Sequence, residues 1–160
     1  MPTLPAFTLP APLARLGARL PALPPTWLLT TALNLAPQRI LPRDTLAPLT
    51  DKRVLVRVTD AGLTLVFTLG ARGFRPASGT GPADLTLSAT VRDFLALALR
   101  EEDPDTLFFS RRLRMEGDTE LGLLVKNTLD SADWPALLRD LPPARLFLRL
   151  TERPPRHDPA

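Results

Sequence analysis

Residues 54–69 read VLVRVTDAGLTLVFTL, and this alternating stretch decides the fold that the sequence predicts. Apolar residues recur at every second position on both sides of its centre, and successive side chains of a β-strand point to opposite faces. The central Asp60-Ala61-Gly62 segment supplies the residues that favour a tight turn. The stretch therefore predicts an antiparallel hairpin with one apolar face, which other elements must cover.

Three shorter segments downstream extend the predicted sheet. A third strand begins at Phe74 and ends at Pro76, since proline lacks the N–H group that a strand donates to its neighbour. Apolar and polar residues then alternate over residues 85–89 and again over residues 112–116, where Gly117 closes the strand. The sequence thus predicts a five-stranded, mainly antiparallel sheet.

Capping residues mark the helices that follow these strands. Thr90 and Asp118 are each expected to accept hydrogen bonds from the free N–H groups of a helix start. Asp103 followed by Pro104 is a second start signal, because proline at the first helical position lacks an N–H that would be unpaired anyway. The predicted helices cover residues 91–100, 104–109, 119–131, 135–140 and 143–150. The fold class is therefore α+β, a sheet covered by helices.

Proline positions divide the chain into three parts. Ten of the 19 prolines lie within the first 48 residues, six lie within the last 26, and three lie between. We predict a Pro-rich N-terminal helical extension over residues 1–48, a folded core over residues 49–134, and C-terminal helices with a disordered tail over residues 135–160. We also expect residues 1–12 and 153–160 to be poorly ordered.

The N-terminal extension offers one apolar helix. Prolines interrupt the uncharged stretch so that residues 27–36 are the only predicted helix there, and ten residues are too few to span a bilayer. Trp27 and four leucines leave this helix almost no polar face, so we expect it to cover the core, meet a partner or insert shallowly into a membrane. Repeated prolines replace the basic start and unbroken apolar run of a secretory signal, and export is not predicted.

Composition excludes several chemistries. The 160 residues contain no cysteine, so a disulfide, a thiolate nucleophile and a cysteine-held metal or iron-sulfur site are ruled out. The single histidine, His157, lies in the Pro-rich tail, which argues against a Ser-His-Asp triad or a histidine metal site. We therefore expect no metal and no cofactor. A net charge of +3 is no more than solubility requires, and no nucleic acid is expected to bind.

The acidic run of Glu101, Glu102, Asp103 and Asp105 matches no calcium-loop spacing and is explained by helix capping. We expect every acid to lie on an outer face or at a helix cap.

Arginines form a second charged group. Arg111, Arg112 and Arg114, with Arg72 and Arg75 nearby on the sheet, could form a patch for phosphate or anionic lipid. A solvated strand face is the simpler interpretation.

Residues 111–118, RRLRMEGD, resemble the strand, Gly-Asp pair and helix start that are typical of the SCP2 sterol-carrier family. Residues 103–109, DPDTLFF, together with 116–123, EGDTELGL, and 125–127, VKN, are similar to the branch of that family that assists oxygen-independent ubiquinone biosynthesis. The resemblance is densest over residues 103–130.

The resemblance implies a hydrophobic cavity between sheet and helices that binds an isoprenoid quinone precursor or a phospholipid. It implies no catalysis by this chain, since hydroxylation in that pathway is assigned to two iron-sulfur proteins, UbiU and UbiV, which become the expected partners. It also implies a cytoplasmic protein, with peripheral contact to the inner membrane left open.

The inward-facing apolar residues of the core are the candidate cavity wall, with no acid, base or nucleophile among them. Phe108 and Phe109 are the candidate contacts for a quinone or phenol head group, and Met115 can adapt to a flexible tail. Gly117 and Asp118 are expected to form a structural turn and cap. The candidate lipid-binding residues are Phe67, Leu87, Phe94, Phe108, Phe109, Leu113, Met115, Leu121, Leu124, Val125 and Leu129.

Two other functions stay open on the residues alone. In the first, the apolar layers are solid core and the N-terminal helix recruits a protein partner. In the second, the chain is an enzyme that uses a carboxylate, which would require a deeply buried Asp or Glu. An interior cavity of several hundred Å³ favours the lipid carrier over both.

Overall fold

A five-stranded sheet forms the centre of the structure, a computed structural model that describes residues 4–19, 21 and 23–140. The strands are β1 (Arg53–Val58), β2 (Leu63–Gly70), β3 (Gly73–Pro76), β4 (Leu85–Ala89) and β5 (Arg114–Gly117). They are arranged in the order β3-β2-β1-β4-β5. Strands β1 and β4 pair in parallel and the other neighbours are antiparallel, which confirms the mainly antiparallel sheet.

The predicted hairpin is present and sets the apolar face. Val54 pairs with Phe67 across β1 and β2, and both side chains are buried. The turn between the strands uses Gly62 with φ of 65°, a backbone conformation that glycine adopts without steric cost. Asp60 in the same turn accepts a hydrogen bond from the backbone N–H of Val91 (2.9 Å), so the turn is fixed against the start of the following helix.

Helices cover the apolar face and the ends of the sheet. They are α1 (Ala11–Arg19), α2 (Leu23–Leu35), α3 (Val91–Ala98), α4 (Pro104–Phe109), α5 (Thr119–Ser131) and α6 (Trp134–Asp140), with a short 3-10 turn at Ala47–Leu49. The helices predicted around residues 91–140 are therefore confirmed. The helix predicted for residues 143–150 and the tail at 153–160 lie outside the described residues. Within the described part of the chain, every helix is too short or too polar to cross a membrane.

The N-terminal extension is more helical than the sequence predicts. Helix α2 begins at Leu23, four residues before the predicted start, and contains Pro24 and Pro25 in its first turn. The prolines do not interrupt it because the N–H groups of a first turn have no acceptor within the helix. Helix α1 has no counterpart in the prediction.

The predicted fifth strand is shorter at its start. Arg111 has φ of 60°, and the backbone N–H groups of Arg112 and Leu113 both donate to the carbonyl of Leu107 (2.9 Å each) instead of to β4. The chain is therefore still closing helix α4 at these positions, and strand pairing begins only at Arg114.

The main core packs residues of the sheet against α5, α6 and the segment that follows α2. Ile40, Leu41, Leu46 and Leu49 are buried in the same cluster as Val54 and the other inward residues of the sheet. Packing is thus continuous across position 48. The division at residues 48 and 134 stays a prediction.

Helix α2 is joined to the sheet by one side chain that makes the same pair of backbone hydrogen bonds as a neighbouring strand would. The amide of Asn34 donates to the carbonyl oxygen of Phe74 (2.7 Å) and accepts from its N–H (2.8 Å). This pair of bonds satisfies backbone groups at the β3 edge and holds α2 against β3.

Asp118 caps helix α5, as predicted, and its removal should destabilise the fold. Its Oδ1 accepts from the N–H groups of Glu120 (2.9 Å) and Leu121 (3.1 Å). We expect Asp118→Ala to lower the free energy of unfolding by about 1 kcal/mol, measured by urea denaturation. Asp130→Ala is the matched control, because its exposed side chain makes no hydrogen bond or ion pair with the described residues. Equal stability of the two variants would contradict the capping role.

Candidate functional site

An apolar cavity of about 270 Å³ lies between the inner face of the sheet and helices α2, α3, α5 and α6. No charged residue lines it among the residues that the structure describes. Its wall consists of Leu29, Leu33, Leu41, Leu49, Val54, Val56, Phe67, Phe74, Leu87, Phe94, Leu97, Ala98, Val125, Thr128, Leu129 and Trp134.

The two polar side chains of this wall, Thr128 and Trp134, are already hydrogen-bonded to backbone carbonyls four and five residues earlier in the chain. The Thr128 hydroxyl donates to the carbonyl of Leu124 one turn earlier (2.8 Å). The Trp134 indole N–H donates to the carbonyl of Leu129 (2.9 Å). A guest in the cavity therefore meets hydrocarbon and aromatic surface, without a free polar group that would have to be desolvated.

The cavity can bind the tail of a lipid by burial alone. Its volume is just below the range of about 300–1,000 Å³ that is usual for small-molecule pockets, so it suits a segment of a long tail. Each buried CH₂ group contributes about 0.8 kcal/mol, and eight would contribute about 6 kcal/mol before the cost of association.

Comparison with known proteins agrees with this geometry. The sequence profile of the SCP-2 sterol transfer family matches residues 33–130, which is more than half of the chain. The chain belongs to the SCP-2 sterol transfer family. The match begins inside helix α2 and ends in helix α5, so it covers the sheet and most of the cavity wall.

The chain is also similar to a curated protein that is named for a biosynthetic pathway. The ubiquinone biosynthesis accessory factor UbiT of Escherichia coli K12 is 51% identical over 67 residues, which are 42% of this chain and 38% of the relative. The match thus spans less than half the length of the curated relatives. Among solved structures, the UbiJ-SCP2 ubiquinone synthesis protein superposes with a TM-score of 0.50 over 66% of this chain and 84% of that chain. At 24% sequence identity, this superposition shows that the two proteins share a fold and nothing further.

In this member of the SCP-2 sterol transfer family, five of the eleven candidate residues line the cavity. They come from four different elements, and strand alternation or helix periodicity turns each of them inward. These residues are Phe67, Leu87, Phe94, Val125 and Leu129.

Four further candidates lie away from the cavity wall. Leu121 and Leu124 belong to packed core, whereas Leu113 and Met115 also line a surface groove of about 540 Å³ together with Phe108 and Phe109. Leu121 is buried in the main core and Leu124 packs against it. Leu113 is buried in a second, smaller cluster with Leu107, and Met115 contacts both clusters. Their packing holds the sheet and helix α5 together.

The inward orientation expected for Phe108 and Phe109 is wrong. Their side chains are 40% and 79% exposed, and the two rings meet edge to face with centroids 5.7 Å apart. Helix α4 has only six residues and buries Pro104 and Leu107, so the positions next to Leu107 turn outward. Their contact with a quinone head group stays a prediction, and it would take place on the surface.

Several wall residues are absent from the sequence prediction. Leu29 and Leu33 stand at i, i+4 spacing within the predicted helix over residues 27–36, but they were not included among the candidate lipid-binding residues. Val56 continues the alternation of β1 and could have been included. Trp134 precedes a proline, and no pattern indicated that its ring turns toward α5.

One acid departs from the expectation that every acid lies on an outer face or a cap. Asp93 is only 4% exposed. It lies in the first turn of α3, where it accepts a hydrogen bond from the Thr90 hydroxyl (2.9 Å) while the Thr90 hydroxyl accepts from the Asp93 N–H (3.2 Å). Arg112 donates to its carboxylate from Nε (3.0 Å) and from a second nitrogen. Asp93 does not line the apolar cavity.

The same arginine also binds Glu102, through two nitrogens at 2.6 and 2.9 Å. These hydrogen bonds to Glu102 and Asp93 raise the pKa of Arg112 above its already high value. A cationic group whose pKa is raised by folding stabilises the folded state at lower pH, and this stabilisation is lost only as the pH rises through the raised pKa. The ion pairs of Arg112 therefore persist across the neutral range.

The predicted arginine patch is divided by the sheet. Arg75 lies on β3 and Arg72 lies in the turn before it, at the opposite edge from β5, which carries Arg114. Three strands separate the two groups. The combined patch is therefore wrong, although Arg111 and Arg114 stay near each other.

The exposure of Phe109 leads to a stability prediction. Because most of its ring is already in solvent, Phe109→Ala should change the free energy of unfolding by less than about 0.5 kcal/mol. Phe67→Ala, which truncates a buried ring, is the comparison and should cost several times more. Chemical denaturation of both variants measures the difference. A similar loss in both would mean that Phe109 is packed in solution.

Proposed function

We propose that this protein is a non-catalytic lipid-binding accessory factor for ubiquinone biosynthesis. In this proposal the apolar cavity holds part of the tail of a polyprenyl quinone precursor, or of a phospholipid. The observation that carries the proposal is the uncharged wall of the cavity, in which both polar side chains are already hydrogen-bonded. The identity to UbiT over 67 residues supports the pathway.

The absence of a catalytic role is supported by the chemistry of the wall. A general acid, base or nucleophile would have to reach the guest, and the described wall residues supply none. Asp93, the buried carboxylate, is neutralised by Arg112 and lies away from the cavity.

The partners in this proposal are the hydroxylases UbiU and UbiV of the oxygen-independent pathway. The chain has no cysteine with which to hold an iron-sulfur cluster, so redox chemistry would be supplied by others. The protein would present the lipid to them in the cytoplasm, in peripheral contact with the inner membrane.

The eleven candidate residues take different places in this proposal. Phe67, Leu87, Phe94, Val125 and Leu129 would contact the tail, because they line the cavity. The packed-core residues would shape the wall from behind. Phe108 and Phe109 would meet a head group or a partner enzyme at the surface.

Lipid extraction tests the proposal directly. The full chain is purified under native conditions and extracted into organic solvent, and the extract is analysed by mass spectrometry. We expect prenyl lipid or phospholipid at a substantial fraction of the protein concentration, and uptake of added ubiquinone precursor. An extract free of both, with no uptake, would contradict lipid binding.

Pathway membership needs a separate measurement. We expect the chain to restore ubiquinone in an Escherichia coli K12 strain that lacks UbiT, when the cells grow without oxygen. The same strain grown with oxygen is the control. Lipid binding without rescue would separate a general lipid carrier from a ubiquinone factor.

A protein-interaction role is the second candidate, and one surface favours it. Trp27, Leu28 and Leu35 lie on the outer face of α2 and are all more than half exposed. If this face recruits a partner, Trp27→Ser with Leu28→Ser should abolish the rescue while the extract keeps its lipid. Loss of both together would instead point to the cavity.

A further inference from the structure

A second, polar groove lies on the outer face of the sheet, opposite the apolar cavity. Its volume is about 390 Å³. At its floor is Ser88 of β4, whose neighbours in the strand register are Arg57 on β1 and Arg114 on β5. Paired residues of adjacent strands project to the same face, so one hydroxyl is flanked by two guanidinium groups.

The Ser88 hydroxyl lacks a hydrogen-bond partner. The residue is only 6% exposed, and its Oγ finds neither a donor nor an acceptor among the described residues. Buried hydroxyls are normally paired, since leaving one unpaired destabilises the fold. A buried and unpaired hydroxyl that lines a groove is therefore a candidate ligand-binding group.

The arginines of the groove are free to bind as well. Arg57, Arg111 and Arg114 are exposed, and their guanidinium groups make no hydrogen bond or ion pair with any described residue. Arg112, by contrast, is occupied by Asp93 and Glu102. With the unpaired Glu116 also on the wall, the free groups of the groove carry a net charge of about +2.

We propose that this groove binds a phosphate or diphosphate group. A phosphate monoester carries about −1.5 to −2 charges at neutral pH, which matches the free charge of the groove. Guanidinium groups bind phosphate oxygens through paired hydrogen bonds, and the Ser88 hydroxyl can donate a further one to the oxygen above it. The phosphate can belong to a soluble compound or to a lipid head group.

The site does not depend on the proposed function. The residues that line the groove and those that line the apolar cavity have no member in common, and the sheet separates them. Failure of lipid uptake would leave the phosphate site standing, and failure of the phosphate site would leave the cavity standing.

Titration of the full chain with inorganic phosphate and inorganic pyrophosphate, followed by NMR of the labelled backbone, tests the site. We expect shifts centred on Ser88 and its strand neighbours. Arg57→Gln should weaken pyrophosphate binding roughly tenfold, as expected for one charge-assisted contact. Arg72→Gln removes the same charge from an exposed turn at the far edge of the sheet and should weaken binding less than about twofold.

The hydroxyl is tested by Ser88→Ala, which should also weaken pyrophosphate binding while the protein keeps or gains thermal stability. Equal weakening by Arg57→Gln and Arg72→Gln would mean diffuse attraction and would overturn the site. So would an unchanged affinity in Ser88→Ala, or no binding of any probe.

Vesicles distinguish the two sources of phosphate. Phosphatidylcholine vesicles with and without phosphatidylglycerol are sedimented with the wild-type chain and with Arg57→Gln. Binding that requires both phosphatidylglycerol and Arg57 assigns the site to a lipid head group. Binding of pyrophosphate alone, with the same dependence on Arg57, assigns it to a soluble phosphate.

Discussion

Val125→Trp is expected to abolish the uptake of a polyprenyl lipid while the protein still folds. Val125 lies on the cavity side of α5, and an indole at this position would extend into the 270 Å³ now available and block its use by a lipid tail. The added ring extends into empty space, so the usual overpacking cost of about 1–3 kcal/mol should fall to its lower end. We expect lipid in the organic extract to drop at least tenfold, with little change in the far-UV circular dichroism spectrum.

The control is Leu123→Trp on the same helix. Leu123 is 55% exposed and lines a surface groove outside the cavity, so the same indole there leaves the cavity unchanged. Its extract should contain as much lipid as the wild type. If Val125→Trp also retained its lipid, the lipid would have to bind elsewhere, and the surface groove lined by Phe108, Phe109, Leu113 and Met115 would be the next place to look.

Arg112→Leu is expected to lower the free energy of unfolding by about 2–3 kcal/mol. Removing one partner of a buried ion pair leaves the other charge unpaired, at a cost of about 3–5 kcal/mol when both groups are fully buried. The Asp93 side chain is buried, but two observations reduce the expected loss. A third of the Arg112 side chain is exposed. Arg92 also lies 3.7 Å from the Asp93 carboxylate and would remain as a weaker partner. Urea denaturation of the variant and the wild type gives the difference.

Removing the second charge should recover part of that loss. In the double variant Asp93→Asn with Arg112→Leu, the buried carboxylate that lost its main partner is replaced by a neutral amide, so the double variant should be more stable than Arg112→Leu alone. Arg72→Leu serves as the control for loss of a surface arginine and should change stability by less than about 0.5 kcal/mol. A double variant less stable than Arg112→Leu would mean that the contacts of the Asp93 carboxylate with Thr90 and Arg92 outweigh the loss of Arg112.

Local signals in the sequence predicted the fold well. The hairpin alternation and the caps at Thr90, Asp103 and Asp118 depend on neighbours within four residues, and all of them are present. The first turn of α2 was missed because Pro24 and Pro25 were interpreted as breaks, although a first turn tolerates proline.

Errors arose where a distant residue decides the local structure. Arg112 fits the alternation of a strand, but its side chain pairs with Asp93, 19 positions away in the chain, and its N–H group closes α4. The burial of Asp93 had a local signal, since Thr90 three residues earlier is the N-cap of α3 and its hydroxyl accepts from the Asp93 N–H and donates to the Asp93 carboxylate. Periodicity could not show which side of the short α4 helix faces the core, so Phe108 and Phe109 were assigned inward.

The candidate site was predicted in part for the same reason. Alternation and helix spacing identify inward residues, and five of these do line the cavity. Whether an inward residue meets a void or another side chain depends on packing between elements, as at Leu121 and Leu124. Sequence periodicity contains no information on that choice.

The two edge strands of the sheet, β3 and β5, have only four residues each. The free backbone groups of an edge strand can pair with another molecule and start aggregation. Short strands, proline and charged side chains all oppose such pairing. Pro76 removes one hydrogen-bond donor from β3, while Arg75 and Arg114 place a cation on β3 and on β5 respectively. Together with the Asn34 amide, which occupies backbone groups of β3, these features oppose edge-to-edge association of a chain that is rich in leucine.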